Sequence, residues 1–237
     1  MDETKLVKAF RRLSQGSKQS VQSGLELDDF DDYMHIDRPI DKAVRRAMDD
    51  IRQKGGGILL LVGSAGDGKS HIISTLKNDY KDFEFRNDAS ESPWPKVKSI
   101  DALKIFLSDF KDKTLHTTNL KMLVAINMGK LSAFIDDTEV QEEFKEIVKC
   151  ANSLFDEDNL HHEETEHVRI VSFANHQIFE LFPEQKDADY PVDSLFIKNA
   201  LEKITSKNYN NIFFTAFKES TPIGTDFDPC YVNYQFL

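Results

Sequence analysis

The chain has 237 residues, of which 40% are hydrophobic and 30% charged, and its formal net charge at pH 7 is −11. This length suffices for one α/β domain with a buried core plus an appendage. The acidic balance argues against a broad nucleic-acid-binding surface on this chain alone, because phosphate contacts need clustered Lys and Arg. No apolar run approaches the ~20 residues that span a bilayer, so no membrane partner is expected. Two cysteines without a C-x-x-C pair, and a start without a signal-peptide core, predict a cytoplasmic protein.

Residues 1–37 are predicted to form a small, partly flexible N-terminal appendage. Leu6, Phe10 and Leu13 have the spacing of a short amphipathic helix, and a polar stretch and an acidic run follow them. The basic residues in and after this helix are interpreted as a solvated face rather than as a nucleic-acid patch.

A longer amphipathic helix is predicted over residues 38–54. Asp37 has the residue type and position of its N-cap, and Pro39 falls in its first turn. Apolar residues then recur every three or four positions. The three glycines at 55–57 are expected to end this helix and to lead into a strand.

Residues 63–70 read G-S-A-G-D-G-K-S, a complete G-x-x-x-x-G-K-[ST] phosphate loop. The apolar run before it is typical of a central parallel strand, and helical spacing follows it. Glycines let the backbone N–H groups turn toward phosphate oxygens, Lys69 can reach the β- and γ-phosphates, and the Ser70 hydroxyl can ligate Mg²⁺. The sequence therefore predicts a site for ATP and Mg²⁺. Its predicted nucleotide-binding residues are Gly63, Ser64, Ala65, Gly66, Asp67, Gly68, Lys69, Ser70 and His71.

Beyond the loop, strand-like and helix-like patterns alternate. Further strands are predicted at 83–85, 122–126, 168–173 and 212–217, and the helices include one over 140–155 and one that starts at Pro191. Alternation of this kind is typical of βαβ units and a mainly parallel sheet flanked by helices. We therefore predict an α/β fold of the P-loop NTPase type, with residues 38–237 as its core. The apolar, aromatic last residues lead us to expect the N-terminal fragment of a longer protein.

Hydrolysis of ATP needs an acidic residue at the end of a strand beside the phosphate loop, where it holds the Mg²⁺ water shell. The residue that follows the 122–126 strand is Asn127, which can orient a water or contact a γ-phosphate but carries no charge. Asp88 is the alternative acid, on the condition that the short strand before it lies next to the phosphate-loop strand. Turn formation explains Asp88 equally well. The candidate catalytic residues are therefore Lys69, Asn127 and Asp88, and the candidate metal ligands are Ser70 and Asp88.

Three further features give weaker signals. Asn175 and Thr215 fall at or near the ends of late predicted strands, where a polar γ-phosphate sensor is expected, although a β-branched strand residue explains Thr215 more simply. The segment 161–167 reads H-H-E-E-T-E-H, which resembles a metal site. A zincin needs His at i and i+4, whereas His162 and His167 are five apart, so a solvated acidic loop is favoured.

Several segments, in one order along the chain, resemble DptF, the F component of DNA phosphorothioation-dependent restriction systems. They are S-Q-G-S-K-Q-S-V (14–21), I-D-R-P-I (36–40), G-S-A-G-D-G-K-S-H (63–71), N-D-A-S-E-S (87–92), A-I-N-M-G-K-L (125–131) and Y-V-N-Y (231–234). The resemblance implies a bacterial defence ATPase that acts with other restriction-complex subunits against DNA lacking the phosphorothioate mark. DNA would be contacted through the full complex. Family members also lack an obvious acidic pair after the third strand, and they are longer than this chain.

Three classes of function stay open at this point. The first is an ATP-binding and ATP-hydrolysing subunit of a restriction complex. The second is a nucleotide-gated interaction module with little or no hydrolysis, which Asn127 motivates. The third is a small-molecule kinase, for which no acceptor-site motif or lid is visible. No loop arginine can be singled out as a finger, and a neighbouring subunit of a homo-oligomer could supply one.

Overall fold

The computed structural model describes residues 4–19, 29–87, 99–156, 164–178, 180–181, 192–220 and 234. The chain forms two compact units. One is Arg38–Gln177, and the other combines Met1–Asp37 with Ile178–Leu237. The predicted boundary after residue 37 coincides with a boundary between these units. In this division the residues after Gln177 group with residues 1–37, and the assignment of 38–237 as one core stays a prediction.

The secondary-structure elements of the described residues are as follows. The helices are α1 (Lys5–Gln19), α2 (Asp29–Met34), α3 (Pro39–Lys54), α4 (Lys69–Leu76), α5 (Ser99–Phe106), α6 (Asp112–Leu115), α7 (Met128–Ile135), α8 (Thr138–Glu143), α9 (Lys145–Asn152), α10 (Leu195–Thr205) and α11 (Ile212–Glu219). The strands are β1 (Gly57–Val62), β2 (Glu84–Arg86), β3 (Lys121–Ile126), β4 (Val168–Ser172), β5 (Glu180–Leu181) and β6 (Val192–Asp193). None of these helices is long and apolar enough to cross a membrane.

Four parallel strands of the Arg38–Gln177 unit form a sheet in the order β2-β3-β1-β4. The central strand β1 pairs with β3, where Gly57 lies opposite Lys121, and with β4, where Ile58 lies opposite Val168. Every residue of β1 is buried. A strand covered on both faces has no solvent-facing positions, which explains its unbroken apolar run. The predicted α/β class with a parallel sheet is confirmed.

Helices cover both faces of this sheet and enclose two apolar cores. Side chains alternate between the faces along β1. Leu59 and Leu61 pack in one core with α3 and α4, and Leu60 and Val62 pack in the other with α5, α7 and α9. The sheet is therefore the middle layer of three, and the loops at its carboxyl edge follow strands that are packed on both faces.

The predicted helix over 140–155 is in fact two helices, α8 and α9, which meet at Phe144 (φ −127°, ψ 43°). The break has a tertiary cause. The Asp112 carboxylate accepts hydrogen bonds from the N–H groups of Lys145 (3.0 Å) and Glu146 (3.3 Å). These are first-turn donors that lack partners within α9. Asp112 therefore caps α9 from 33 residues away in sequence.

The predicted strand at 212–217 is wrong, because these residues form α11. Asn211 is fully buried, and its Oδ1 accepts from the N–H groups of Phe213 (2.8 Å) and Phe214 (3.3 Å). This N-cap starts a helix in a Phe-rich run whose composition favours a strand. Thr215 therefore lies on a helix, and its predicted place at a strand end is wrong as well.

The helix predicted to start at Pro191 begins later. Its first residue is Leu195, and the Ser194 hydroxyl accepts from the Ile197 N–H (3.2 Å) as the N-cap. Pro191 itself lies outside the described residues. Val192, expected in this helix, belongs to β6, which pairs antiparallel with β5.

Gly56, between α3 and β1, lies where two backbone segments pass close to each other. A Cβ atom at Gly56 would stand 2.1 Å from the carbonyl oxygen of Thr118, and that backbone leads directly into β3. We expect Gly56→Ala to lower the free energy of unfolding by about 1–3 kcal/mol, the usual cost of overpacking. Urea denaturation measures this change.

The matched control is Gly129→Ala in α7, where a Cβ atom would meet only the Asn127 Oδ1, at 3.6 Å. Glycine within a helix is less favourable than alanine by roughly 0.5–1 kcal/mol, so this variant should be unchanged or slightly more stable. Equal destabilisation by both substitutions would contradict the packing argument.

Candidate phosphate-loop site

The 63–70 loop leaves the carboxyl end of β1 and enters α4. From β1 the chain continues to β2 and β3 on one side of β1, and from β3 it crosses to β4 on the other side. The connections that follow β1 and β3 therefore leave in opposite directions. Open α/β sheets bind ligands in the crevice at such a point. The loop and Asn127, which follows β3, both lie there.

The backbone of the loop turns at two glycines with positive φ, Gly66 (+89°) and Gly68 (+94°). Residues that have a side chain rarely adopt this left-handed region, so these positions favour glycine. Gly68 is the N-cap of α4. The first N–H groups of a helix have no partner within it and carry the positive end of the helix dipole. They are suitable donors for an anion at the loop.

The Lys69 side chain folds back against the start of the loop. Its Nζ donates to the carbonyl oxygens of Gly63 (2.9 Å) and Ser64 (2.6 Å). These bonds fix the ammonium beside the N-terminus of α4. A full positive charge is thereby added to the partial charge of the helix end.

Arg38 belongs to this site, although sequence reasoning did not single it out. Its Nη1 donates to the Asp67 carbonyl (3.0 Å), its Nε pairs with the Asp41 carboxylate (3.1 Å), and its Cζ lies 5.4 Å from the centre of the Phe173 ring. In the sequence, Arg38 stands at the start of a predicted helix and within the I-D-R-P-I segment, and neither position indicates a contact with the loop. Its contact with the loop, 29 residues further along the chain, depends on how α3 packs against the sheet.

The start of α3 differs in one detail from the prediction. Arg38, not Asp37, occupies the N-cap position, and the Asp41 carboxylate accepts from the Arg38 N–H (2.7 Å). Asp41 is only 5% exposed. The same buried carboxylate therefore caps the start of the helix and orients the Arg38 guanidinium toward the loop. Pro39 lies in the first turn, as predicted.

Asp67 brings a negative charge into the loop itself. Its carboxylate accepts the N–H of Ser64, so the acidic group turns back toward the beginning of the loop. The contact of Arg38 with the Asp67 carbonyl places a positive charge at the same residue. Arg38 and Lys69 thus each bring a positive charge to the loop through its backbone carbonyls.

Asn127 follows β3, the neighbour of β1, which is the position predicted for the acid. Its Oδ1 accepts the N–H of Lys130 (2.8 Å), so Asn127 is the N-cap of α7. Asparagine is among the preferred residues at this position. Helix capping therefore explains the presence of Asn127 without a catalytic role. The catalytic role of Asn127 stays a prediction.

Asp88 is a candidate acid only if the strand before it lies next to β1, and that strand does not. The strand before it, β2, pairs with β3, where Glu84 lies opposite Met122, and β3 separates it from β1. Neighbouring strands are ~4.8 Å apart, so β2 lies roughly 10 Å from β1. Asp88 follows β2 in the sequence. Asp88 lies outside the described residues, and its role as a catalytic acid or metal ligand stays a prediction.

The remaining predicted site residues lie close to the loop. Ser70 and His71 are in the first turn of α4 and are half-buried, whereas Ala65 is exposed on the loop. Asn175 is exposed in the 3₁₀ turn that directly follows β4, at the same edge of the sheet. Asn175 is therefore at a strand end as predicted, and its sensor role stays a prediction.

Comparison of the chain with protein-family models, with curated proteins and with solved structures finds no match.

Proposed function

We propose that this chain binds ATP with Mg²⁺ at residues 63–71 and hydrolyses it as a subunit of a bacterial phosphorothioation-dependent DNA restriction complex. The observation that carries the nucleotide part is the Lys69 ammonium, held by two loop carbonyls at the N-terminus of α4. The DNA part rests on the resemblance of the sequence to DptF.

The residues of the loop suit a triphosphate and its metal. Backbone N–H groups from Gly66 to Ser70 and the Lys69 ammonium would hold the β- and γ-phosphates, and the Ser70 hydroxyl would ligate Mg²⁺. Bound Mg²⁺ would supply neutralisation of the charge on the phosphate oxygens. Arg38 would hold the turn at Asp67 in the conformation that presents these donors.

A nucleotide-gated interaction module with little or no hydrolysis is the second candidate. The observation that favours it is the capping bond of Asn127, since a neutral helix cap stands where an ATPase needs a carboxylate. Such a protein would change its partners on binding ATP rather than on cleaving it.

The experiment that tests the proposal measures ATP binding and phosphate release by the full chain. Binding is titrated with a fluorescent ATP analogue in the presence of Mg²⁺, and release is measured alone and with duplex DNA that carries or lacks the phosphorothioate. Turnover that DNA lacking the mark stimulates most is the expected result. Tight binding without turnover, also in the assembled complex, would favour the second candidate, and failure to bind ATP would overturn both.

Arg38→Ala should weaken ATP binding about tenfold, because one charged hydrogen bond of ~1.5 kcal/mol to the loop is lost. Arg45→Ala is the matched control, since it removes the same charge from α3 where the side chain pairs with Asp79 (3.1 Å) at an exposed site. Exposed pairs contribute little, so its affinity should stay within about twofold of the unmodified protein. Fluorescence titration measures both, and equal losses in the two variants would refute a specific role of Arg38.

A further inference from the structure

Two histidines and a glutamate converge at the amino ends of the strands. His116, Glu166 and His167 each place one ligand atom within 4.8 Å of the others. His116 directly follows α6, and the other two directly precede β4. The phosphate loop lies at the opposite end of β1, roughly 20 Å away for six strand residues. This cluster is therefore separate from the proposed nucleotide site.

His167 is held as metal-ligating histidines are. It is 8% exposed, and its Nδ1 lies 3.0 Å from the carbonyl oxygen of Gly56. A carbonyl can only accept, so Nδ1 donates this bond, and Nε2 is the nitrogen that has the lone pair in the neutral ring. A backbone carbonyl that fixes the tautomer in this way is a common outer partner of a metal-bound imidazole.

His116 is oriented by a carboxylate. Its Nε2 lies 2.8 Å from the Glu146 Oε1, and the Glu146 N–H is itself bound by Asp112. The rings of His116 and His167 meet edge to face, with their centres 5.2 Å apart. With Nε2 directed at Glu146, Nδ1 is the nitrogen of His116 that is left for a metal. Carboxylate–histidine–metal arrangements of this kind orient the ring and raise its basicity.

We propose that His116, Glu166 and His167 form a Zn²⁺ site. Two imidazoles and one carboxylate are a known ligand set for zinc, with the fourth position left to water. A bound ion would tie the end of α6 to the start of β4. Local spacing within 161–167 does not indicate this site, because His116 comes much earlier in the chain and only the fold brings it to His167.

The test uses the full chain, freed of metal with a chelator. Zn²⁺ is titrated in competition with a chromophoric indicator, and Co²⁺ is added to record the visible spectrum of the bound ion. We expect a single tight site that is weakened at least about tenfold in His116→Gln and in Glu166→Gln. Both side chains are exposed, so these variants keep the core intact. Glu146→Gln, which leaves all three ligands in place, should weaken Zn²⁺ by about 10–100-fold.

The matched control is His176→Gln. The Nδ1 of His176 also lies near a backbone carbonyl, that of Ser172 at 2.9 Å, but His176 is not part of a metal-type cluster in the described part of the chain. Its loss should leave Zn²⁺ affinity unchanged. Zn²⁺ affinity that is equal in the unmodified chain, His116→Gln and Glu166→Gln would overturn the proposal, as would a failure to bind. Lys69→Ala should bind Zn²⁺ normally, so the result is independent of the nucleotide proposal.

Discussion

Lys69→Ala should abolish ATP turnover and weaken ATP binding by about 10–100-fold. Hydrogen bonds to charged groups contribute about 1.5–3 kcal/mol, and each 1.4 kcal/mol is a factor of ten in affinity. The ammonium of Lys69 is held at the mouth of the loop by the carbonyls of Gly63 and Ser64. Its removal takes a full positive charge from the place where the phosphates would bind. Fluorescence titration and phosphate-release assays measure the two effects.

Lys77→Ala is the matched control for this substitution. Lys77 is exposed immediately after the last turn of α4, so the variant loses the same charge from the far end of the same helix. Its ATP affinity and turnover should equal those of the unmodified chain. If Lys69→Ala retains full affinity, or if both lysine variants lose it equally, the loop is not the nucleotide site.

Phe144→Ala should lower the free energy of unfolding by about 3–5 kcal/mol, the usual cost of truncating a large buried aromatic side chain. Phe144 is fully buried at the junction of α8 and α9, with its ring centre 5.6 Å from that of Phe134. Truncation would leave a cavity in the core on one face of the sheet. The corresponding fall in melting temperature is roughly 6–20 °C. Thermal and urea unfolding measure the change.

The control for Phe144 is Phe155→Ala. Phe155 is 43% exposed, so its truncation should cost no more than about 1 kcal/mol. Below its melting temperature, Phe144→Ala should still bind ATP, because Phe144 packs in the core rather than at the loop. Equal destabilisation by the two substitutions would contradict the assigned core.

The sequence predicted the central part of the fold because its signals are local. The run before the loop is buried on both faces of the sheet, and the apolar spacing of 38–54 corresponds to the buried face of α3. The elements that sequence reasoning missed depend on distant side chains. Asp112 divides the predicted helix over 140–155, and the buried Asn211 turns a Phe-rich run into a helix.

In the candidate site, too, the sequence predicted the local features and missed those that depend on distant parts of the chain. The phosphate loop is contiguous in sequence, so its position between β1 and α4 could be predicted. The contact of Arg38 with the loop depends on the packing of α3. The separation of β2, the strand before Asp88, from β1 depends on the strand order. Neither the packing of a helix nor the order of strands is encoded in a short motif. The cluster of His116 with His167 was missed for the same reason.

The most direct measurement is a structure of the full chain with Mg²⁺ and a non-hydrolysable ATP analogue. We predict that the β- and γ-phosphates accept hydrogen bonds from the N–H groups of Gly66 to Ser70 and from Lys69, with the Ser70 hydroxyl on Mg²⁺. The same structure would reveal which carboxylate, Asp88 included, lies within ~4–5 Å of the ion, a distance that allows a bridging water. A triphosphate bound away from this loop, or none bound at saturating concentration, would contradict the account.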